Sequence, residues 1–229
     1  MKALVLGATG FVGREVVRQL RVRNDYVVAH IRPGSGQRAQ WLERWGELGA
    51  TVDESPWDAT ALAAALAAHA PDVVFILIGT TVKRAKGDGV DGDIYQRVDY
   101  GLTKVACDAI RLSKLGCRIV YLSSVGADVQ ARSAYLRARG QAEAEVKQAG
   151  VPWAIARPAI ITGDREDSRP GERAGAIVGD AGLAVVHWFG GKTLAARYRS
   201  TTNDVLAAAL LRLATVTPAD QIFDGAALR

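Results

Sequence analysis

Tyr135 and Arg139 lie four residues apart in the run SAYLRARGQ. On a helix that spacing puts the phenol and the guanidinium on one face. A phenol can protonate a carbonyl oxygen as hydride arrives, or take the proton back in the reverse direction. An unperturbed tyrosine titrates near 10, so acid/base work at neutral pH needs a cation close by, and Arg139 can supply one. Two serines, Ser123 and Ser124, close the apolar run RIVYL ahead of them. A hydroxyl at that strand end can hold the same carbonyl oxygen. Taken singly these are ordinary residues: Tyr–Arg pairs are common on helices, and serines are common in turns. Their order, strand, serine, then Tyr-x-x-x-base, gains weight from what precedes it.

The chain opens with a short apolar run, MKALVL, followed at once by GATGFVG and then by FVGREVVRQLRVR. Strand, glycine turn and amphipathic helix form the geometry that receives a pyrophosphate. Gly7 permits the tight turn, Gly10 leaves the backbone open to phosphate, and Gly13 lets the helix lie close on the sheet. Thr9, Phe11 and Val12 fill the same turn and helix start and join the candidate cofactor-binding set. The free N–H groups and positive dipole end of the helix face the anion.

These groups need a scaffold, and the hydrophobic pattern supplies one. Strand-like runs cover 3–6, 27–31, 50–53 (weak), 73–78, 118–122 and 153–156. Helix-like stretches lie between them near 11–23, 38–48, 58–69, 93–115 and 132–149. The strands are near-continuously apolar, which marks burial on both faces, as in a parallel sheet. The alternation predicts an α/β fold: one Rossmann-like, doubly wound parallel sheet over 1–229 with right-handed crossovers. Its ligand sits outside the carboxyl ends of the strands. After Pro158 the rhythm changes, with a loop-like stretch over 162–182, a helix over 202–215 and a last strand near 221–223. The late segment predicts a small C-terminal lobe within about 159–200, too short for an independent domain.

Strand ends show which dinucleotide fits. The second strand closes on His30-Ile31-Arg32-Pro33. An NAD-selective fold places an Asp or Glu about there for the ribose 2′-hydroxyl, and none is present. Arg32, with Arg38 beyond it, can grip a 2′-phosphate, which favours NADPH over NADH. Asp58 is placed to cap the helix that follows, and within reach of an adenine amine. Gly79 and Thr80, after the fourth strand, are small enough for a ribose to pass closely.

Composition sets outer bounds. With 229 residues, 49% hydrophobic and 23% charged, the chain suits a packed domain. The formal charge of +5 comes from scattered basic residues, so nucleic acid binding is disfavoured. Cys107 and Cys117 make neither a disulfide framework nor a metal site and read as thiols of a reducing, cytoplasmic compartment. His30, His69 and His187 are scattered, so no metal is expected. No secretory signal fits, and no run reaches the roughly 18 apolar residues of a membrane span. Trp41 and Trp45 share a helix face and predict core packing. The mixed-charge run GDREDSRPGE could close over a substrate or be an internally paired, solvated loop; its nearly cancelling charges favour the structural reading.

The glycine spacing is G-x-x-G-x-x-G, and the chain resembles the atypical short-chain dehydrogenase/reductases, most closely the Tat-interacting-protein-type NAD(P)H-binding oxidoreductases. The matching stretches are GATGFVG, ILIGTTVKRA, QRVDYGLTKVACDAI, YLSSVGAD, AYLRARGQAEAEVKQAG, IARPAIITGDREDSRPGE and IFDGAAL, in order along nearly the whole chain. The resemblance implies a catalytic Tyr135, a phosphate turn at Gly7, Gly10 and Gly13, Arg32 at the 2′-phosphate, and Gly79 and Thr80 beside a ribose. It implies that backbone at Ile161 meets the nicotinamide amide. Arg139 departs from the family's Tyr-x-x-x-Lys. An arginine keeps the charge and can bond ribose hydroxyls, but it cannot release a proton. Ser123 and Ser124 both remain candidates, since related enzymes place their serine where Val125 stands here.

The expected function is NADPH-dependent reduction of a carbonyl, or oxidation of an alcohol, on a small molecule. The alternative is a non-catalytic NADPH-binding regulator or assembly factor, which the Arg139 departure favours. Sugar-nucleotide chemistry fits less well, because the chain is short for the substrate lobe it needs. A homodimer suits the broad class, and no residue decides it.

Overall fold

The computed structural model describes residues 1–80, 92–163, 200–216 and 218–229. The first half alternates strictly: β1 (Lys2–Leu6), α1 (Phe11–Val22), β2 (Tyr26–His30), α2 (Arg38–Glu47), β3 (Thr51–Asp53), α3 (Ala59–His69) and β4 (Val73–Ile76). A π-helical turn, Tyr95–Tyr100, then leads into α4 (Gly101–Ser113). β5 (Arg118–Leu122), α5 (Ala134–Lys147) and β6 (Trp153–Arg157) follow. The described chain ends with β7 (Ile161–Thr162), β8 (Thr201–Thr202), α6 (Asn203–Leu213), β9 (Gln221–Asp224) and a 3₁₀ turn, Gly225–Leu228.

Seven strands form one sheet in the order β3-β2-β1-β4-β5-β6-β9, and every pairing is parallel. The chain runs outward from β1 in one direction and then from β4 in the other, so the switch point lies between β1 and β4. Helices cover both faces. Ala3 and Val5 of β1 point into one core, with Val16, Trp45 and Leu210 from α1, α2 and α6. Leu4 and Leu6 point into the other, with Leu62, Ile110 and Val146 from α3, α4 and α5. Successive side chains of a strand go to opposite faces, and here both faces are dry, so the strands read as unbroken apolar runs.

Local signals hold in detail. Asp58 caps α3: its carboxylate accepts from Thr60 N and Ala61 N, each at 3.0 Å. Trp41 and Trp45 are buried and stacked, with ring centroids 5.4 Å apart. Two expectations shift, and one pairing is new. The run 73–78 leaves the sheet after Ile76, although Leu77 N still donates to Leu6 O at 2.9 Å. The stretch 93–115 is not one α-helix but a π turn followed by α4. The small parallel pair β7–β8 was not legible, because strands of two residues carry no periodicity. Most of the expected lobe over 159–200, with His187 and nearly all of GDREDSRPGE, lies outside the described residues.

Candidate functional site

The glycine turn sits at the switch point. Gly7 has φ +91°, and a Cβ there would lie 2.7 Å from Leu77 O. A Cβ on Gly13 would lie 2.1 Å from Gly7 O, so α1 crosses its own turn at a distance only glycine tolerates. Gly10 stands at the N-cap in extended conformation; no side chain caps α1, and its first turn holds no acid. Among the described residues no side chain therefore caps the positive end of α1, which suits it to an anion. Gly7, Thr9 and Gly10 line a cleft that is open to solvent. Val12 and Gly13 are buried and face inward, so what they offer a phosphate is backbone. Phe11 reaches the other way: a Cβ on Gly163, just after β7, would come within 3.1 Å of its ring. The β7 end, with half-buried Ile161, is thereby held beside the turn.

One end of the cleft is walled by His30, Arg32 and Trp57. His30 is buried, and its Nε2 donates to Ser55 O at 2.8 Å; burial pushes its pKa down and keeps the imidazole neutral. Trp57 meets it edge-on, with centroids 4.8 Å apart. Trp57 was missed from the sequence, where its neighbour Asp58 was expected to cap α3 and to be within reach of an adenine amine. Asp58 is exposed and committed to its cap, and it does not line the cleft. Arg38, the second candidate for a 2′-phosphate, forms an exposed two-pronged pair with Glu54 at 2.5 and 2.7 Å. Arg32 is half-buried and part of the wall.

Leu77 to Thr80, at the end of β4, wall the cleft too, as do Val98 and Leu102. Behind this wall lies Arg139. Its Nη1 donates to Ile78 O at 3.0 Å, to Leu122 O at 2.9 Å and to Tyr121 Oη at 3.2 Å. It ties the carboxyl ends of β4 and β5 together. A Cβ on Gly79 would lie 2.5 Å from Arg139 Nη2, so the backbone there rests directly on the guanidinium. Expected against the cofactor, Arg139 is only 5% exposed and engaged by carbonyls. The physical reason is reach: the longer, forked side chain finds acceptors at two strand ends.

Asp99 completes this cluster. It is 0% exposed on the π turn, and its Oδ1 lies 2.9 Å from Arg139 Nη2, though misaligned for a hydrogen bond. Its Oδ2 accepts from Thr80 N at 3.2 Å. Burial pushes its carboxyl up to about 6, against the opposing pull of the guanidinium. Tyr135 stands on the same side: its ring centroid is 5.4 Å from Arg139 Cζ, and Tyr95 packs edge-on to it at 5.4 Å. The expected Tyr135–Arg139 pair is thus formed.

The two serines separate. Ser123 is buried and donates to Glu143 Oε1 at 2.6 Å. Arg157 grips both oxygens of Glu143, at 2.8 and 2.6 Å. Ser123 therefore belongs to a closed network between β5, α5 and β6. Ser124 is half-buried, and its hydroxyl donates only weakly, to Val125 O at 3.4 Å. Cys107 and Cys117 are buried; burial pushes their thiols up to about 12 and about 11.

A doubly wound parallel sheet with an uncapped glycine turn at its switch point defines a dinucleotide-binding protein of the Rossmann class. The NAD(P)H-binding family profile matches residues 7–180, and the chain belongs to that family, among the short-chain dehydrogenase/reductase-like proteins. It is 30% identical over 173 residues to Protein HTATIP2 of Rattus norvegicus, covering 73% of this chain and 66% of that one. It is 33% identical over 179 residues to Protein fmp52, mitochondrial, of Aspergillus clavatus, covering 74% and 70%. The chain thus spans about two thirds of these relatives' length. Among solved structures, Bordetella bronchiseptica WbmH in complex with NAD+ superposes with a TM-score of 0.65 at 17% identity, covering 97% of this chain and 75% of that one, which shows the fold. Among the described residues, no helix is long and apolar enough to cross a membrane.

Proposed function

We propose that the protein is an NADPH-dependent oxidoreductase that reduces a carbonyl, or oxidises an alcohol, on a small molecule. The observation that carries the reading is one juxtaposition. The uncapped amino end of α1 and the Tyr135–Arg139 pair flank the same carboxyl edge of the sheet. Bound NADPH would supply the hydride. Gly7, Thr9 and Gly10 would cradle its diphosphate, Arg32 its 2′-phosphate, and Gly79 and Thr80 its nicotinamide ribose. Backbone at Ile161 would meet the carboxamide. Tyr135 would give its phenolic proton to the carbonyl oxygen, within the field of the Arg139 guanidinium, and Ser124 would hold that oxygen. The products are the alcohol and the oxidised cofactor; in reverse, Tyr135 takes the proton.

The test is NADPH consumption against a panel of aldehydes, ketones and quinones. Turnover by the wild type that is lost in Tyr135→Phe supports the assignment. Equal turnover by both would overturn the role of Tyr135.

One observation favours a second reading, a protein that binds NADPH without chemistry. Arg139 is engaged by Ile78 O, Leu122 O and Tyr121 Oη, and so does not stand in for a mobile lysine. Tight NADPH binding with no turnover across the whole panel would support it.

A further inference from the structure

We propose that Asp99 is the positioning residue for the nicotinamide half of the cofactor, because its buried carboxylate joins the cleft lip at Thr80 to the guanidinium beside Tyr135. The inference rests on the NADPH reading above and adds a residue that the sequence did not single out.

The geometry is specific. One carboxylate oxygen takes the Thr80 N–H, and the other faces Arg139 Nη2. Thr80 and Gly79 are cleft wall; Arg139 lies behind Gly79 and beside the Tyr135 ring. Asp99 thus sits between the surface that would receive a ribose and the helix that carries the phenol. Its own segment belongs to the same wall, since Val98 and Leu102 line the cleft on either side of it. The segment is anchored by Thr103 Oγ, which donates to Asp99 O at 2.7 Å. It departs from α geometry here, as π turns often do at functional sites.

A neutral asparagine would serve the Thr80 amide as well. The charge has a use only towards Arg139, and burial works against it: the carboxyl is pushed up, not down, despite the cation beside it. A charge kept where burial disfavours it points to function over stability. Among the described residues, the groups facing Asp99 are Thr80 N–H from the β4 loop, Tyr121 from β5, and Arg139 from α5. With the carboxylate ionised, Gly79 and Thr80 are held on the guanidinium before any ligand arrives. A wall already ordered does not have to be ordered on binding.

The full-length protein is titrated with NADPH and, separately, with adenosine 2′,5′-bisphosphate, which carries the adenosine end and no nicotinamide. Wild type and Asp99→Asn are compared at neutral pH, with a thermal melt of each. Expected is a loss of roughly tenfold or more in NADPH affinity in the variant, the scale of one charge-assisted contact. The bisphosphate should bind both proteins within about twofold. Unchanged NADPH affinity would overturn the proposal. So would an equal loss for both ligands, since that marks general damage to the fold. Wild type that binds neither ligand would sink the NADPH reading itself, which separates the two failures.

Discussion

Asp99 Oδ1 and Arg139 Nη2 stand 2.9 Å apart, at 0% and 5% residue exposure, between the cofactor cleft and the helix of Tyr135. Neither side chain is at the surface, and neither contact is local in sequence. The pair explains why position 79 is glycine: any side chain there would strike the guanidinium. It also sets two energies against each other. Attraction lowers the Asp99 pKa, desolvation raises it, and desolvation wins.

The first prediction follows from that balance. The Asp99 carboxyl lies at about 6 in the fold, against an ordinary value of 3.8. Between those values the native state holds the proton more tightly than the unfolded chain does, so this group's contribution to stability is lost as pH rises from about 4 through about 6. A gap of about two units corresponds to about 3 kcal/mol at pH 7. Asp99→Asn should therefore melt no lower than wild type at pH 7, and any advantage should vanish near pH 4. A variant that melts several degrees lower at pH 7 would show that the ion pair stabilises the fold.

Tyr135→Phe removes only a hydroxyl from a ring packed against Tyr95 and Arg139. Turnover should drop by about 10²- to 10⁴-fold, the range for a positioned acid/base. NADPH affinity should stay within about twofold. The check is steady-state kinetics with any substrate found, beside a direct binding titration.

Arg32→Ala should separate the two pyridine nucleotides. A paired guanidinium–phosphate contact is absent with NADH, so NADPH affinity should fall by about 10- to 100-fold while NADH affinity barely moves. Parallel losses for both would mean that Arg32 does not read the 2′-phosphate.

Glu143→Ala should act on stability. It strips Ser123 and Arg157 of their partner in a site where Glu143 is 1% exposed. Breaking such a buried pair costs about 3–5 kcal/mol, which urea unfolding would register as a lower midpoint. A shift below about 1 kcal/mol would mean that water replaces the carboxylate.

What the sequence made legible was local. The Gly7 turn lies within a few residues of β1 and α1, and the strands announce themselves because both sheet faces are covered. Asp58 as a cap needed only its neighbours. What stayed hidden depends on distance. Arg139 meets Ile78 O across 61 positions, and Thr80 meets Asp99 across 19. Within QRVDYG, Asp99 looks like any polar residue on a helix. No pattern distinguishes Ser123 from Ser124 either; only the fold turns one towards Glu143. The early end of β4 has the same origin, since Ile78 gives its carbonyl to Arg139, not to a neighbouring strand.

The most direct measurement is a calorimetric titration of NADPH into the full-length protein, repeated in the presence of excess inorganic pyrophosphate. A diphosphate seated on the amide groups that open α1 requires saturable binding of one equivalent per chain, weakened by the competitor. Absence of saturable binding by both NADPH and NADH would contradict it.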